Sequence, residues 1–299
     1  MTGINVASVG ECMIEFSKLA DGRWDMGFAG DTFNTLWALR ALLPADARTD
    51  YLTAFGDDPF SDAQKVFFQA NRIGTANSPT IPGARPGLYA ITLDGYERSF
   101  TYWRSAAAAR RLADDAALLQ ESLRGRDLVY FSGITLAILG REARVTLLKS
   151  IASAREAGAT VAFDPNYRSQ LWPDVTEARV ALTQALLVVD VALPTFDDEN
   201  ALFGDITSKA TVDRMLDSGV REVVVKCGAK AAFYTSADAH GEIAPAAVDE
   251  PVDTSGAGDA FNGGYLSARL LGEDIVAAVK CGHHVAGSAV RTRGALIRV

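Results

Sequence analysis

Hydrophobic positions along this chain follow two alternating patterns. Short runs of consecutive apolar residues, typical of strands buried on both faces, alternate with stretches in which apolar residues recur every three or four positions, typical of amphipathic helices. The predicted strands are 5–9, 51–55, 127–132, 159–164, 188–194 and 222–227. The predicted helices are 32–43, 61–72, 142–156, 176–186, 210–216, 257–271 and 274–291. This alternation predicts one α/β domain over residues 1–299, with a central, mostly parallel sheet flanked by helices.

The stretch 88–104 departs from this rhythm. It predicts two strands, 88–93 and 97–104, joined across Asp94-Gly95, a dipeptide that favours tight hairpin turns. Alternation places apolar or aromatic residues and one arginine on shared faces: Tyr89, Ile91 and Leu93 on the first strand, and Phe100, Tyr102 and Arg104 on the second. We expect a small β-sheet lid, built from strands within about 11–29 and 87–104. The alternative is a hairpin whose aromatic side chains pack on the core.

Net charge, cysteine spacing and the length of apolar runs exclude several classes of binding partner. The 299 residues carry a net charge of −8, which argues against a nucleic-acid-binding or membrane-surface protein, because both need a dominant basic face. The three cysteines include no Cys-x-x-Cys pair, so structural disulfides and a zinc site are not expected. No apolar run approaches the roughly 20 residues that span a bilayer. We therefore expect a cytoplasmic protein that binds small molecules.

Residues 252–261 carry the strongest chemical signal. Gly256, Ala257 and Gly258 have little or no side chain, so their backbone N–H groups could close on an anion at a helix N-terminus. Asp259, on the first turn of that helix, would repel a phosphate but could take a proton from a hydroxyl that attacks it. These four residues are the predicted catalytic group. The alternative is a glycine-rich turn in which Asp259 is an ordinary N-terminal helix acid.

Two other glycine-rich phosphate loops do not fit this run. A dinucleotide fingerprint, Gly-x-Gly-x-x-Gly, would need a third glycine where Phe261 stands. A Walker-type loop ends in Gly-Lys-Ser/Thr, whereas Asp259 and Ala260 follow Gly258. The run therefore argues against hydride transfer and against a P-loop, and indicates a different way of holding a phosphate.

Two motifs together with the predicted lid resemble the PfkB-type carbohydrate kinases of the ribokinase-like fold, over nearly the whole chain. The motifs are 253–259, Asp-Thr-Ser-Gly-Ala-Gly-Asp, and 29–34, Ala-Gly-Asp-Thr-Phe-Asn. Four further segments are similar to those of the kinases in this family that act on 2-keto-3-deoxygluconate: 10–11, 102–104, 164–168 and 196–199. The resemblance implies an enzyme that uses ATP to phosphorylate the C6 hydroxyl of this keto acid. The alternatives are a kinase for a neutral sugar or nucleoside, and a non-catalytic sugar-binding relative.

The resemblance also implies which residues bind the sugar acid: Gly30, Asp31, Asn34, Tyr89, Tyr102, Arg104, Asn166, Arg168 and Asp259. Asp31 and Asn34 lie three positions apart, on one helix face that can grip vicinal hydroxyls, although Asp31 could instead cap the helix. Asp164, Asn166 and Arg168 follow a strand, and extended alternation is expected to bring these three side chains onto one side of the sheet edge where ligands bind. Arginine pairs with a carboxylate that a neutral sugar lacks, so Arg104, Arg168 or both are expected to hold the acid. For Arg168 the alternative is a surface ion pair.

Nucleotide, metal and partner contacts complete the expectations. The residues expected to contact ATP are Lys226, Gly228, Ser255, Gly256, Ala257 and Gly258, with the 281–288 helix flanking the adenine. Glu199 is expected to act on Mg²⁺ through water, although Phe196 stands where the family's Asn-x-x-Glu motif has Asn. The edge of a two-stranded lid can be covered by a second subunit, so a homo-oligomer formed through the lid is expected.

Overall fold

The computed structural model describes residues 3–19, 21–94 and 97–296. Its strands are β1 (Asn5–Val9), β2 (Met13–Lys18), β3 (Trp24–Ala29), β4 (Arg48–Leu52), β5 (Ile73–Gly74), β6 (Leu88–Asp94), β7 (Glu97–Trp103), β8 (Leu128–Ser132), β9 (Thr160–Asp164), β10 (Val191–Ala192), β11 (Glu222–Val225), β12 (Ala232–Thr235) and β13 (His240–Ile243).

The helices are α1 (Asp31–Leu42), α2 (Pro59–Ala70), α3 (Ala116–Leu123), α4 (Gly133–Ile138), α5 (Arg141–Glu156), α6 (Val175–Leu186), α7 (Phe196–Phe203), α8 (Ser208–Asp217), α9 (Ala257–Leu270) and α10 (Ile275–Ala289). None of these described helices combines the length and the apolar character that crossing a membrane requires.

A nine-stranded sheet, in the order β13-β12-β11-β10-β9-β8-β1-β4-β5, forms the centre of the described structure. The neighbouring strands from β11 to β5 pair in parallel. The β11–β12 and β12–β13 pairs are antiparallel. The parallel strands β1, β8 and β9 are buried almost throughout, because helices cover both faces of the sheet. This arrangement confirms the predicted α/β sheet and brings the carboxyl ends of its strands to one edge.

A separate sheet has the order β3-β2-β6-β7. Strands β2 and β3 pair antiparallel, as do β6 and β7, while β2 and β6 run parallel. Tyr89 and Tyr102 face each other directly across the β6–β7 pair. The second sheet predicted from the alternating pattern is therefore confirmed. Gly95, in the predicted turn, lies outside the described residues.

Three helices pack closely enough to fix the ends that build the site. A Cβ on Gly263 of α9 would lie 2.5 Å from the Cβ of Ala38 on α1, and a Cβ on Gly264 would lie 2.8 Å from a methyl of Val285 on α10. Only glycine allows such an approach at these two positions. The N-terminal ends of α1 and α9 are thus held in a fixed relation to each other.

Several predicted boundaries were wrong. The strand expected at 51–55 runs over Arg48–Leu52, because Asp50 is buried against Arg126 at 2.6 Å and so interrupts the apolar pattern. The strand expected at 188–194 shrinks to Val191–Ala192, since Val188 and Val189 still close the turn that ends α6. Several elements were not predicted at all: β5, β12, β13, α3, α4 and α7.

Candidate active site

Two helix N-termini meet at the centre of the site. Asn34, in the first turn of α1, donates a hydrogen bond from Nδ2 to Oδ2 of Asp259, in the first turn of α9, at 2.9 Å. The Asn34 Oδ1 accepts from the backbone N–H of Gly30 at 3.2 Å. Gly30 itself packs so tightly that a Cβ there would lie 2.1 Å from the carbonyl oxygen of Glu11. The structure therefore brings Gly30, Asn34 and Asp259 together.

Asn166 joins this group from the end of β9. Its Nδ2 donates to Oδ2 of Asp31 at 3.0 Å, and its backbone N–H donates to Oδ1 of Asp164 at 3.0 Å. The φ of Asn166 is 38°, in the left-handed region. The chain therefore turns sharply here, and the expected extended alternation from Asp164 to Arg168 was wrong, although Asn166 does reach Asp31.

A buried ion pair lies behind these groups. Lys226, directly after β11, donates from Nζ to Oδ2 of Asp164 at 2.6 Å and to Oδ1 of Asn262 at 3.0 Å. The Asn262 Nδ2 donates to the same Asp164 oxygen at 2.7 Å. All three side chains are buried. Sequence reasoning did not assign Asn262, even though it stands one helical turn after Asp259, because an asparagine within a helix carries no motif of its own.

The local electrostatics tune Asp259. Burial raises its pKa to about 7, repulsion from Asp31 and Asp164 adds to this rise, and the Asn34 hydrogen bond and Lys226 oppose it. Burial likewise raises the pKa of Asp31. A carboxylate that titrates near neutral pH is a stronger base than a solvated one; it is about half ionised at pH 7 and mostly ionised above pH 8, which suits it to accept a proton.

Arg104 approaches the site from the small sheet. It donates from Nη2 to Oε2 of Glu11, and its side chain is only 11% exposed. Its guanidinium carbon lies 6.0 Å from the ring centroid of Tyr102. The Tyr102 ring in turn lies 5.8 Å from that of Tyr89, whose hydroxyl donates to Glu15. The predicted residues Tyr89, Tyr102 and Arg104 are thus neighbours.

Arg168 lies at the surface of the same region. Its Nη1 donates to both carboxylate oxygens of Asp198, at 3.1 and 3.0 Å, and its side chain is 51% exposed. Burial raises the pKa of Tyr102, whereas the charges of Arg104 and Arg168 both act to lower it. Each arginine is therefore paired with a carboxylate of the protein, and the charge of each acts on the Tyr102 hydroxyl.

A cleft of about 420 Å³ opens on the other side of Lys226. Its walls come from the turn after β11, from the stretch before α9 and from α9 and α10, and are largely apolar. The lining residues are Thr195, Lys226, Cys227, Gly228, Ala229, Pro245, Ala246, Ala247, Val248, Pro251, Thr254, Ala257, Gly258, Phe261, His283, Ala286, Gly287 and Val290. Four predicted nucleotide residues and part of the 281–288 helix therefore share one cleft. Sequence reasoning missed the 245–251 wall, because it has neither a helical nor a strand period.

Two predicted nucleotide residues, Ser255 and Gly256, do not line this cleft. Gly256 has a φ of 70° and precedes α9, and a Cβ there would lie 3.0 Å from Ala295. The Ser255 backbone N–H donates to Oδ1 of Asp253 at 2.9 Å. These residues shape the turn that starts α9, in which the Ala257 N–H donates to the Thr254 carbonyl oxygen at 3.3 Å, and the turn orients the N–H groups of that helix end.

Glu199 lies on α7 and is completely buried. Its Oε2 accepts from Nη2 of Arg214 at 2.7 Å, while Oε1 has no hydrogen-bond partner in the structure. Burial raises the pKa of Glu199 to about 7. Across residues 3–19, 21–94 and 97–296, no group of three or more His, Cys, Asp or Glu side chains could hold a metal ion. A magnesium ion here would take most of its ligands from phosphates and water, as this ion commonly does.

Comparison with known proteins places these features in context. The sequence profile of the pfkB family carbohydrate kinases matches residues 4–298. A 2-dehydro-3-deoxygluconokinase from Dickeya dadantii is 40% identical over 306 residues, covering 99% of this chain and 98% of the relative. A 2-dehydro-3-deoxygluconokinase from Escherichia coli strain K12 is 39% identical over 301 residues, covering 98% and 96%.

The fold also has solved counterparts. The crystal structure of a fructokinase from Vibrio cholerae O395, in a form with fructose, ADP and calcium ion bound, has a TM-score of 0.85 to this chain. The alignment covers 99% of this chain and 96% of that one, at 23% identity. At this identity the structural likeness establishes the shared fold alone. It confirms the ribokinase-like fold expected from the sequence motifs.

Proposed function

Since this chain belongs to the pfkB family of carbohydrate kinases, we propose that it transfers the γ-phosphate of ATP to the C6 hydroxyl of 2-keto-3-deoxygluconate. The observation that carries the proposal is Asp259 itself: it directly follows Gly258, which lines the 420 Å³ cleft, it is hydrogen-bonded to Asn34, and its pKa is raised to about 7. The relatives named 2-dehydro-3-deoxygluconokinase support the choice of substrate.

The acceptor would be held by the polar groups around the start of α1. Asp31, Asn34 and Asn166 offer carboxylate and amide groups to the sugar hydroxyls. The Asn166–Asp31 hydrogen bond and the hydrogen bonds of Asn34 with Gly30 and Asp259 keep these groups in place. Asp259 then removes the proton of the C6 hydroxyl as its oxygen attacks the γ-phosphate in line. Asn34, which donates to Oδ2 of Asp259, leaves the other carboxylate oxygen available for that proton.

The nucleotide would occupy the cleft beside Lys226, with its phosphates directed at the start of α9. The amide N–H groups of Gly256, Ala257 and Gly258 lie at the positive end of this helix, where they stabilise the charge that grows on the phosphoryl oxygens. The unpartnered Oε1 of Glu199 fits a water that binds Mg²⁺. When bound, Mg²⁺ would neutralise phosphate charge.

Recognition of the acid distinguishes this proposal from a neutral-sugar kinase. Arg104 lies beside the Tyr102 ring, and a substrate carboxylate would accept charge-assisted hydrogen bonds from Arg104, Arg168 or both. Tyr89 and Tyr102 would complete this wall. A neutral sugar brings no group that requires two cations at this position, and a catalytically silent binding protein has no need for a base such as Asp259.

The small sheet would act as a lid and as an oligomer interface. Several of its large apolar side chains are exposed: Trp24, Met26, Phe100, Tyr102 and Trp103. A second copy of the sheet could cover these side chains and the outer edges of β3 and β7. Size-exclusion chromatography with light scattering would give the mass of two or more chains; the mass of a single chain would rule out this interface. Use of ATP also fits the cytoplasmic location that we expect.

The substrate is tested by ADP release with MgATP against 2-keto-3-deoxygluconate, its galactonate epimer, fructose, ribose and adenosine. We expect turnover with the keto acids alone. Turnover confined to a neutral sugar would retain the kinase and reject the acid. Binding of the keto acid, measured by calorimetry, without any ADP release would favour the non-catalytic alternative.

A further inference from the structure

Four chain connections join the two sheets, and they meet around Glu11. The small sheet consists of the segments β2–β3 and β6–β7, and each segment enters it and leaves it once. Glu11 lies in the first connection, Gly30 in the second, Gly87 in the third and Arg104 in the fourth.

Glu11 is in close contact with each of the other three connections. A Cβ on Gly30 would lie 2.1 Å from the Glu11 carbonyl oxygen, and a Cβ on Gly87 would lie 2.5 Å from Glu11 Oε1. Arg104 donates to the other carboxylate oxygen. The other three connections between the two sheets therefore all pack against Glu11, and its carboxylate has little freedom to move.

The Glu11–Arg104 pair is buried and incompletely bonded. The two side chains are 1% and 11% exposed, yet Oε1 of Glu11 and Nε of Arg104 have no hydrogen-bond partner among the residues that the structure describes. A carboxylate and a guanidinium commonly form two parallel hydrogen bonds. Here a single contact, from Nη2 to Oε2, fixes the arginine and leaves other donors of its guanidinium available.

Arg104 also lies beside the acceptor site, since its guanidinium carbon is 6.0 Å from the ring centroid of Tyr102. Its positive charge acts to lower the pKa of the Asp31 carboxyl and that of the Tyr102 hydroxyl, although burial raises both overall. The guanidinium is thus held by Glu11 while it lies beside Tyr102, which we assign to the substrate, and its charge acts on Asp31.

We propose that Glu11 is a positioning residue for the acid group of the substrate: it holds Arg104 where the four connections meet, so that the remaining guanidinium N–H groups point at the substrate carboxylate. This inference rests on the sugar-acid substrate proposed above. Glu11 does not touch the substrate. Its effect is to fix the arginine in advance, which lowers the entropic cost of forming hydrogen bonds with the carboxylate.

Two variants test the role of Glu11 in different ways. Glu11→Gln removes the charge with little change of shape. Gly87→Ala keeps the charge but places a methyl group 2.5 Å from the unmodified position of Oε1, so the carboxylate must shift. Gly27→Ala, in the same small sheet, is the matched control, because no heavy atom lies within 4 Å of its added Cβ.

The measurement compares the keto acid with its C1 amide, a neutral analogue, as substrates of the full-length enzyme. We expect both variants to raise KM for the keto acid by about tenfold, the loss of roughly one charge-assisted hydrogen bond. KM for the amide and KM for ATP should stay within about twofold of wild type. Gly27→Ala should match wild type with both substrates.

A purely structural role would lower kcat/KM for the acid and the amide together, and that result would overturn the inference. A lower KM for the keto acid in Glu11→Gln would also overturn it, since Glu11 would then compete with the substrate for Arg104. If Glu11→Gln does not fold, the acid-to-amide ratio of Gly87→Ala decides. Failure of the wild type to phosphorylate the keto acid contradicts the proposed function and the inference; normal wild-type turnover with an unchanged ratio in the variants contradicts the inference alone.

Discussion

Asn34 and Asp259 stand 225 positions apart in the sequence, and a 2.9 Å hydrogen bond joins their side chains. This bond links the first turns of α1 and α9, so the residues that would hold the sugar and the residue that would deprotonate it form one rigid unit. The positive ends of both helices point at the same small volume. This geometry explains how a protein with a net charge of −8 can receive an anionic substrate and an anionic nucleotide.

Activity should depend on the ionisation of Asp259. Its pKa is raised to about 7, so the basic, ionised form is lost as the pH falls through 7. We expect kcat/KM to fall about tenfold for each pH unit well below 7 and to level off above pH 8. The full pH profile of keto-acid-dependent ADP release checks this; a profile that is flat between pH 5 and 8 would contradict it.

Replacing Asn34 should move that profile. The Asn34 hydrogen bond stabilises the ionised carboxylate and so lowers the pKa of Asp259. In Asn34→Leu the pKa should rise, and the acidic limb of the kcat profile should shift to higher pH. The measurement is kcat at saturating keto acid from pH 5.5 to 9.5. A limb that stays in place would mean that another group sets the pH dependence.

Asp259 should also limit stability. Above pH 7 Asp259 is ionised in both states. The charge is unfavourable in the folded protein, as the raised pKa shows, whereas in the unfolded chain it is solvated. Asp259→Asn should therefore raise the free energy of unfolding by about 2 kcal/mol at pH 8, a value reduced from the full shift because the side chain is only partly buried. The gain should shrink as the pH falls toward 4. Denaturant titrations at pH 8 and pH 4.5 check it, and equal gains at both would contradict the assignment.

Replacing Arg104 should lower the free energy of unfolding more than replacing Arg168. Either substitution by leucine should raise KM for the keto acid and spare KM for ATP. Arg104→Leu also leaves Glu11 buried without its partner, which should lower the free energy of unfolding by about 3 kcal/mol. Arg168→Leu removes a half-exposed pair and should change it by less than about 1 kcal/mol. Keto-acid kinetics unchanged in both variants would remove the arginines from acid recognition.

The cleft can be filled from α10. A Cβ on Gly287 would lie 3.5 Å from the nearest side chain, so Gly287→Ala should fold and act normally. Gly287→Phe places a ring in the cleft and should raise KM for ATP at least about tenfold while leaving KM for the keto acid unchanged. A normal KM for ATP in Gly287→Phe would place the nucleotide elsewhere.

Most of the features that could be predicted from the sequence depend on local patterns and motifs. The order of the main strands and helices, the small sheet and the residues at the start of α1 and α9 follow from short-range patterns. The contacts that join them do not, because Glu11–Arg104 and Lys226–Asp164 connect residues that are distant in the chain. The start of β4 was missed because Asp50, a charged residue, is buried there by its ion pair with Arg126. The segment after β9 is not extended because Asn166 adopts a left-handed conformation. Neither the ion pair nor this conformation follows from the local sequence pattern.

The most direct test of the account is the turnover of Asp259→Asn with MgATP and 2-keto-3-deoxygluconate, measured as ADP release at pH 8. A general base contributes roughly 10²–10⁴-fold, so we predict that kcat falls by at least about 10²-fold while the variant remains folded and still binds the keto acid. Near-normal kcat in a folded Asp259→Asn would contradict the central claim that this carboxylate deprotonates the sugar.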